Sequence, residues 1–345
     1  MSANGLAVSA RRCGLACAAA LVLALARGGV DGVHVVYAGG IDPPAILAPR
    51  APHAPSEKEL SHWDSLQVED LRLRAEKGSA EAQFELGFLY FSGNGVGRDF
   101  ALAASWWRKS ADQGNPTAQL NLAVLYQNGL GVPPDIGQAM SWLLRAARSG
   151  DDTAQLRAGD AFWDGIGVPQ DFEQAVFWWR RAAEQGNATA QNYLAEAYRS
   201  GTGVAEDHAQ AVAWYQKAAT QGHPTAQSNL GFMYRYGEGT TPDLLTAVVW
   251  WQRAAEQGNL SAQYNLAVSY HNGDGVMEDF IEARKWAEIV VANSSGESQA
   301  RYSRLLDVLA EKMSPEAAAE ARKRAQEKID EFNRRKPAES DAWKL

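Results

Sequence analysis

Ala82-Gln83-Phe84-Glu85-Leu86-Gly87-Phe88-Leu89-Tyr90-Phe91-Ser92-Gly93-Asn94-Gly95 decides the fold, because its framework returns five more times along the 345-residue chain. Sliding the chain over itself by 36 residues aligns Ala82-Gln83 with Ala118-Gln119, Ala154-Gln155, Ala190-Gln191, Ala226-Gln227 and Ala262-Gln263, without an insertion. Each pair is followed by an aromatic (Tyr90, Tyr126, Phe162, Tyr198, Tyr234, Tyr270) and a Gly-x-Gly. Then come an Asp (Asp99, Asp135, Asp171, Asp207, Asp243, Asp279) and a Trp (Trp106, Trp142, Trp178, Trp214, Trp250, Trp286). A unit of this size cannot bury its apolar face alone, so six copies in register, residues 79–294, specify a stacked array.

Each unit reads as two helices. Asn115-Pro116 and His223-Pro224 put proline at the first helical position, where its missing N–H is not needed. The Gly-x-Gly ends this helix A by taking the positive φ that other residues resist. The Asp then caps helix B, and Gln138, Gln174, Gln210 and Glu282, three residues on, predict capping boxes. Gly87, Ala123, Gly159, Ala195, Gly231 and Ala267 hold one position small, which predicts a close helix approach there.

The motif Ala-x-x-x-Leu-Gly-x-x-Tyr-x-x-Gly-x-Gly-Val-x-x-Asp-x-x-x-Ala-x-x-Trp-x-x-x-Ala-Ala-x-x-Gly resembles the Sel1-like repeat, a relative of the tetratricopeptide repeat. It covers about two thirds of the chain. The resemblance implies an all-α fold, a right-handed α/α solenoid of helix pairs, and adaptor roles in assembly and signalling. Residues 63–78 are expected to form an N-terminal half-repeat, and residues 295–336 C-terminal capping helices ahead of a tail at 337–345.

The ends speak to location. Arg11 and Arg12 precede an apolar run from Cys13 to Ala26, the layout of a signal peptide within residues 1–38, with cleavage after Ala26 or after Ala38. A run that short falls under the roughly 20 residues that cross a bilayer, so no stable membrane insertion is expected unless the signal is retained as an anchor. Both cysteines, Cys13 and Cys17, lie inside it, so the mature chain is expected to lack a thiol. Residues 39–62, with Pro43, Pro44, Pro49, Pro52 and Pro55, read as a tether. The periplasm or the exterior is the expected location.

Composition and motifs narrow the function. A formal charge of −8 repels phosphate backbones, which argues against nucleic acid. The histidines have no metal-ligand spacing, and no third glycine extends the Gly-x-Gly into a phosphate loop, so no metal or cofactor is expected. Neither Ser-x-x-Lys nor Gly-x-Ser-x-Gly occurs. A cell-wall or β-lactamase-like hydrolase is therefore the alternative to a non-catalytic scaffold, and a receptor for peptidoglycan fragments is a third.

Two patterns compete as sites. The doublets Trp106-Trp107, Trp178-Trp179 and Trp250-Trp251 suggest ligand stacking, but their mostly apolar counterparts (Leu143, Tyr215, Ala287) say core. A stripe on helix A varies within the rigid frame, holding Glu85, Asn121, Arg157, Tyr193, Asn229 and Asn265, with Asp160, Glu196 and Phe232 one turn on. Its variability marks it as a surface spared from stacking, and it is expected to read a protein or peptide partner in the concave groove. Lys109, Arg145, Arg181, Lys217 and Arg253, in the last turn of helix B, are explained by the helix dipole. His223 reads as an exposed loop residue.

Overall fold

The computed structural model describes residues 65–335, which form fifteen α-helices with no strand among them. The expected signal peptide and tether, and the tail at 337–345, lie outside the described residues. A lone helix α1 (Ser65–Glu76) leads. Six helix A/helix B pairs follow: α2 (Ala80–Ser92) with α3 (Phe100–Asp112), α4 (Pro116–Asn128) with α5 (Ile136–Arg148), and α6 (Asp152–Asp164) with α7 (Phe172–Glu184). Then come α8 (Ala188–Ser200) with α9 (His208–Thr220), α10 (Pro224–Tyr236) with α11 (Leu244–Ala255), and α12 (Leu260–Asn272) with α13 (Phe280–Ala292). From α1 to α13 each helix packs on the next in chain order, which is the stacking of an α/α solenoid. The last two, α14 (Gly296–Lys312) and α15 (Pro315–Arg335), both pack on α13.

Local chemistry sets the helix ends. Helix A opens on Ser79, Asn115, Asp151, Asn187, His223 or Asn259, whose side chain accepts the backbone N–H three residues on. His223 is thus a cap and not a loop residue: its Nδ1 accepts from the Ala226 N–H at 3.2 Å, and the side chain is half-buried. Helix B opens on the six aspartates, but the capping boxes are only half formed. The N–H of each Asp already donates to the carbonyl of the aromatic nine residues earlier, as Asp135 does to Tyr126 at 2.8 Å, so Gln138 and its counterparts have no donor to reach back to.

In units 2, 4, 5 and 6 the second glycine of the Gly-x-Gly has two constraints. Gly131 and Gly203 sit at φ 69° and 71°, and a Cβ on either would lie 2.2 Å from the backbone of Phe100 or Phe172, at the start of the preceding unit's helix B. The loop of one unit therefore rests directly on the previous one.

The glutamine of Ala-Gln joins the units. Gln83, Gln119, Gln155, Gln191, Gln227 and Gln263 are at most 5 % exposed, and each donates Nε2 to a carbonyl eight residues earlier. The acceptors, from Ala75 to Ala255 at 3.0–3.2 Å, are among the last carbonyls of the preceding helix, which have no partner within it. Gln299 repeats the bond to Val291 at 3.2 Å, in the stretch where the sequence motif has decayed.

A second glutamine closes this latch. Gln113, Gln185, Gln221 and Gln257 donate to Oε1 of Gln83, Gln155, Gln191 and Gln227 at 2.7–2.8 Å. Unit 2 carries Ser149 at that place, and the Gln119 Oε1 is buried without a partner among the described residues. We predict that Ser149→Gln supplies the missing donor and stabilises the array by about 1 kcal/mol, read as a rise in thermal midpoint. An unchanged or lower midpoint would show that the orphaned oxygen is already solvated.

Candidate functional site

Solvent reaches helix B along a whole side, in α3 at Ala101, Leu102, Ser105, Arg108, Lys109 and Asp112. Each helix A, by contrast, exposes one residue near an end: Glu81, Asn128, Asp164, Ser200, Tyr236 and Asn272. The variable stripe is consequently not the solvated face that its variability suggested. Asn121, Asp160, Glu196, Asn229 and Asn265 are buried, at 0–7 % exposed, while Glu85, Arg157, Tyr193 and Phe232 are half-buried.

Part of that variation is pairing inside the unit. The second Trp position of helix B is core in every unit, with Trp107, Leu143, Trp179, Tyr215, Trp251 and Ala287 all at most 1 % exposed. Where it is Trp, the small position of helix A is Gly; where it is Leu, Tyr or Ala, that position is Ala. A Cβ on Gly87, Gly159 or Gly231 would come within 2.3–2.5 Å of the indole of Trp107, Trp179 or Trp251, so only glycine admits the larger ring.

The buried ring then needs an acceptor. Trp107 and Trp251 donate Nε1 to the carbonyls of Phe84 and Ser228 at 3.0 Å. Trp179 instead donates to Asp160 Oδ1 at 2.9 Å, and the Tyr215 hydroxyl donates to Glu196 Oε2 at 2.5 Å. Arg199 grips the same Glu196 carboxylate with two bonds, at 2.5 and 3.1 Å. The shorter acid meets the indole and the longer acid meets the phenol.

Asp160 bears a charge cost. Burial pushes its carboxyl from 3.8 up to about 7, with the Asp164 carboxylate adding to the rise, while the Trp179 bond and the Arg157 guanidinium oppose it. Around it, Trp163 stacks on Trp179 at 5.0 Å between ring centres, and Tyr193 meets Trp179 from the next unit at 5.1 Å.

A different remainder has no internal explanation. Asn121, Asn192 and Asn229 are 4 %, 4 % and 2 % exposed, and each holds one buried amide atom without a hydrogen-bond partner among the described residues. Ser228 Oγ and His271 Nδ1 are in the same state. Such groups are rare because each costs about 1–3 kcal/mol. These five lie on A helices; on B helices Trp178 Nε1, Trp286 Nε1 and Arg284 Nε are in the same state.

On the outer side, the basic ladder covers rings. Lys109 and Lys217 sit 3.8 and 3.6 Å over Trp106 and Trp214, and Arg145 and Arg253 sit 4.5 and 4.6 Å over Trp142 and Trp250. Arg181 lies over Phe177 and Trp178. Cation–π contact thus adds to the dipole effect and shields the remaining open faces of these indoles, of which Trp142, Trp178 and Trp250 are buried and Trp106 and Trp214 half-buried. Among the described residues no group of three His, Cys, Asp or Glu is placed to hold a metal, and no helix is long and apolar enough to cross a membrane.

The Sel1 repeat family model matches residues 80–115, 116–151, 153–187, 188–223, 224–259 and 260–289, which is more than half of the chain. The chain is a Sel1 repeat protein. A crystal structure of a Sel1 repeat protein from Oxalobacter formigenes is 32 % identical, with a TM-score of 0.54, and covers 66 % of this chain and 100 % of that one. A protective antigen present in uropathogenic Escherichia coli strains, displaying an SLR fold, is 28 % identical over 81 % of this chain and 73 % of its own, with a TM-score of 0.36. The secretory immunoglobulin A-binding protein EsiB of Escherichia coli O6:H1 (strain CFT073) is 41 % identical over 46 residues, which is 13 % of this chain and 9 % of that relative. Sel1 repeat proteins are in general protein–protein interaction scaffolds.

In this Sel1 repeat protein the Gly/Trp coupling was open to sequence reading, since both columns are visible; it appears only when the two are read together. We predict that Gly159→Ala alone destabilises unit 3 by about 1–3 kcal/mol or more through overpacking. Gly159→Ala with Asp160→Glu and Trp179→Tyr, which copies unit 4, recovers most of that loss. Equal midpoints for the single and triple variants would refute the coupling.

Asp160 also sets a pH dependence. A carboxyl raised in the folded state binds more protons there than in the unfolded chain, so its contribution falls as pH rises from about 4 to about 7. We predict that Asp160→Asn raises the thermal midpoint at pH 8 relative to wild type and much less at pH 4.5. A pH-independent difference would contradict the buried charge.

Proposed function

We propose that this Sel1 repeat protein is a non-catalytic scaffold or adaptor of the bacterial cell envelope, and that it holds a polypeptide segment along its A helices. The observation that carries this reading is the set of unpartnered buried amides at Asn121, Asn192 and Asn229. An extended main chain offers alternating N–H and C=O groups, and an amide side chain can meet either. Half-buried Glu85, Arg157, Tyr193 and Phe232 lie on the same helices as contact residues beside them.

Family scaffolding supports the partner class. Export rests on the N-terminal Arg11-Arg12 and the apolar run after it, and locates the partner outside the cytoplasm.

A stability and binding split tests the reading. Replacing an orphaned buried amide with an apolar side chain of similar size removes a desolvation penalty. We predict that Asn121→Leu, Asn192→Leu and Asn229→Leu together leave the thermal midpoint equal or higher. The same variant loses crosslinks to the envelope polypeptide that a photo-crosslinker at Tyr193 or Phe232 captures. Capture unaffected by the triple change, or seen only from outer positions such as Leu102 and Val249, would overturn the proposal.

A further inference from the structure

An open surface cleft of about 460 Å³ lies at the junction of units 1 and 2, lined by Arg108 of α3, Tyr126 of α4, the loop residues Pro133, Pro134 and Asp135, and Gln138 and Trp142 of α5. We propose that it is a ligand site for a carboxylate carried next to a flat ring, independent of the A-helix face discussed above. Its volume falls within the range of small-ligand pockets, about 300–1,000 Å³.

The walls supply both halves of that ligand. Tyr126 and Trp142 offer aromatic surface, and two consecutive prolines form a wall that has no backbone N–H to satisfy. Arg108 supplies the charge. Its guanidinium donates to the Tyr126 hydroxyl and lies 5.6 Å from the centre of that ring, and it makes no ion pair among the described residues. A guanidinium has five N–H donors in a planar fork suited to a carboxylate, and the tyrosine takes one.

The other wall groups leave room for that role. The Asp135 carboxylate accepts the Gln138 N–H at 2.9 Å as a cap, and Arg145 over Trp142 is within 3.9 Å of Asp112. Asp135 Oδ1 is thus committed to its own helix end, where the carboxylate charge faces the helix N-terminus, and Arg145, over the lining Trp142, has its own acid.

Comparison among the units shows why unit 2 is singled out. The counterpart of Arg108 in unit 1, Arg72, already has Glu69 at 3.9 Å, and its loop carries Gly97 and Arg98. In unit 3 the pair becomes Leu144 and Phe162, with neither cation nor hydroxyl. Unit 4 keeps Arg180 and Tyr198, bonded at 3.0 Å, but replaces the prolines by Ala205 and the acidic Glu206. Units 5 and 6 have Gln216 and Gln252. Only unit 2 combines a cation lacking a carboxylate partner among the described residues with an apolar, donor-free wall.

Two probes test the site on the full protein by saturation-transfer NMR: indole-3-acetate, as a free ring acid, and the blocked peptide acetyl-Phe-Glu-amide, as a chain-borne one. Saturable binding of either is expected, with the stronger one identifying the source. Indole-3-acetamide should bind at least tenfold more weakly than the acid. Arg108→Ala should weaken the acid to the level of the amide, and Gln138→Trp should block both. Arg180→Ala should change nothing. Arg108 is exposed, so its removal should leave the thermal midpoint unaltered. Equal binding of acid and amide, insensitivity to Arg108→Ala, or no saturable binding of either probe would overturn the site.

Discussion

The bond from a buried glutamine to a carbonyl eight residues earlier is what the stack depends on. It joins the end of one helix B to the start of the next helix A across the short turn at Gly114 and its counterparts. Its acceptor is a carbonyl of the last helical turn, such as that of Ala111, which also takes the N–H of the turn glycine Gly114. Because the donor, the acceptor and the turn lie within nine residues, each copy sets the angle between neighbouring units without reference to the rest of the chain. The same bond recurs at Gln299, so the first closing helix is attached as a repeat would be, although little of the motif survives there. Where the second glutamine is replaced by Ser149, the latch still forms and only its oxygen is left over.

Given that frame, the units are free to differ in how they fill the space between their two helices. Odd units place Trp against Gly, even units a different side chain against Ala, and the ring's polar edge finds whatever acceptor its helix A provides. At the outer side Arg72, Arg108 and Arg180 donate to Tyr90, Tyr126 and Tyr198; Leu144 goes with Phe162, whereas Gln216 and Gln252 keep Tyr234 and Tyr270. The Gly/Trp exchange keeps volume matched between the paired helices, as close-packed interiors require.

How much was legible follows from that division. Helix limits, caps and turns came through because each is written within a few adjacent residues and repeated six times: Pro116 at a helix start, Gly129 at a helix end, Asp135 at the next cap. His223 does not announce itself as a cap because imidazole is an uncommon one, although its column otherwise holds Asn and Asp in most units. The helix A stripe was misread for a deeper reason. Variation in one column suggests freedom from packing, whereas Asp160 and Glu196 vary in step with Trp179 and Tyr215, nineteen residues away. A single column of a repeat cannot show compensation; two columns can.

The remaining polar groups differ from those pairs in kind. Asp160 and Glu196 have partners within their own unit, so their burial is accounted for by the fold. Asn121, Asn192 and Asn229 do not, and a latch that forms in every unit asks nothing of them. Stability alone would favour an apolar side chain at such places. The three amides are therefore polar groups that the packing of the free array does not account for, and the proposed engagement of a polypeptide along the A helices rests on them.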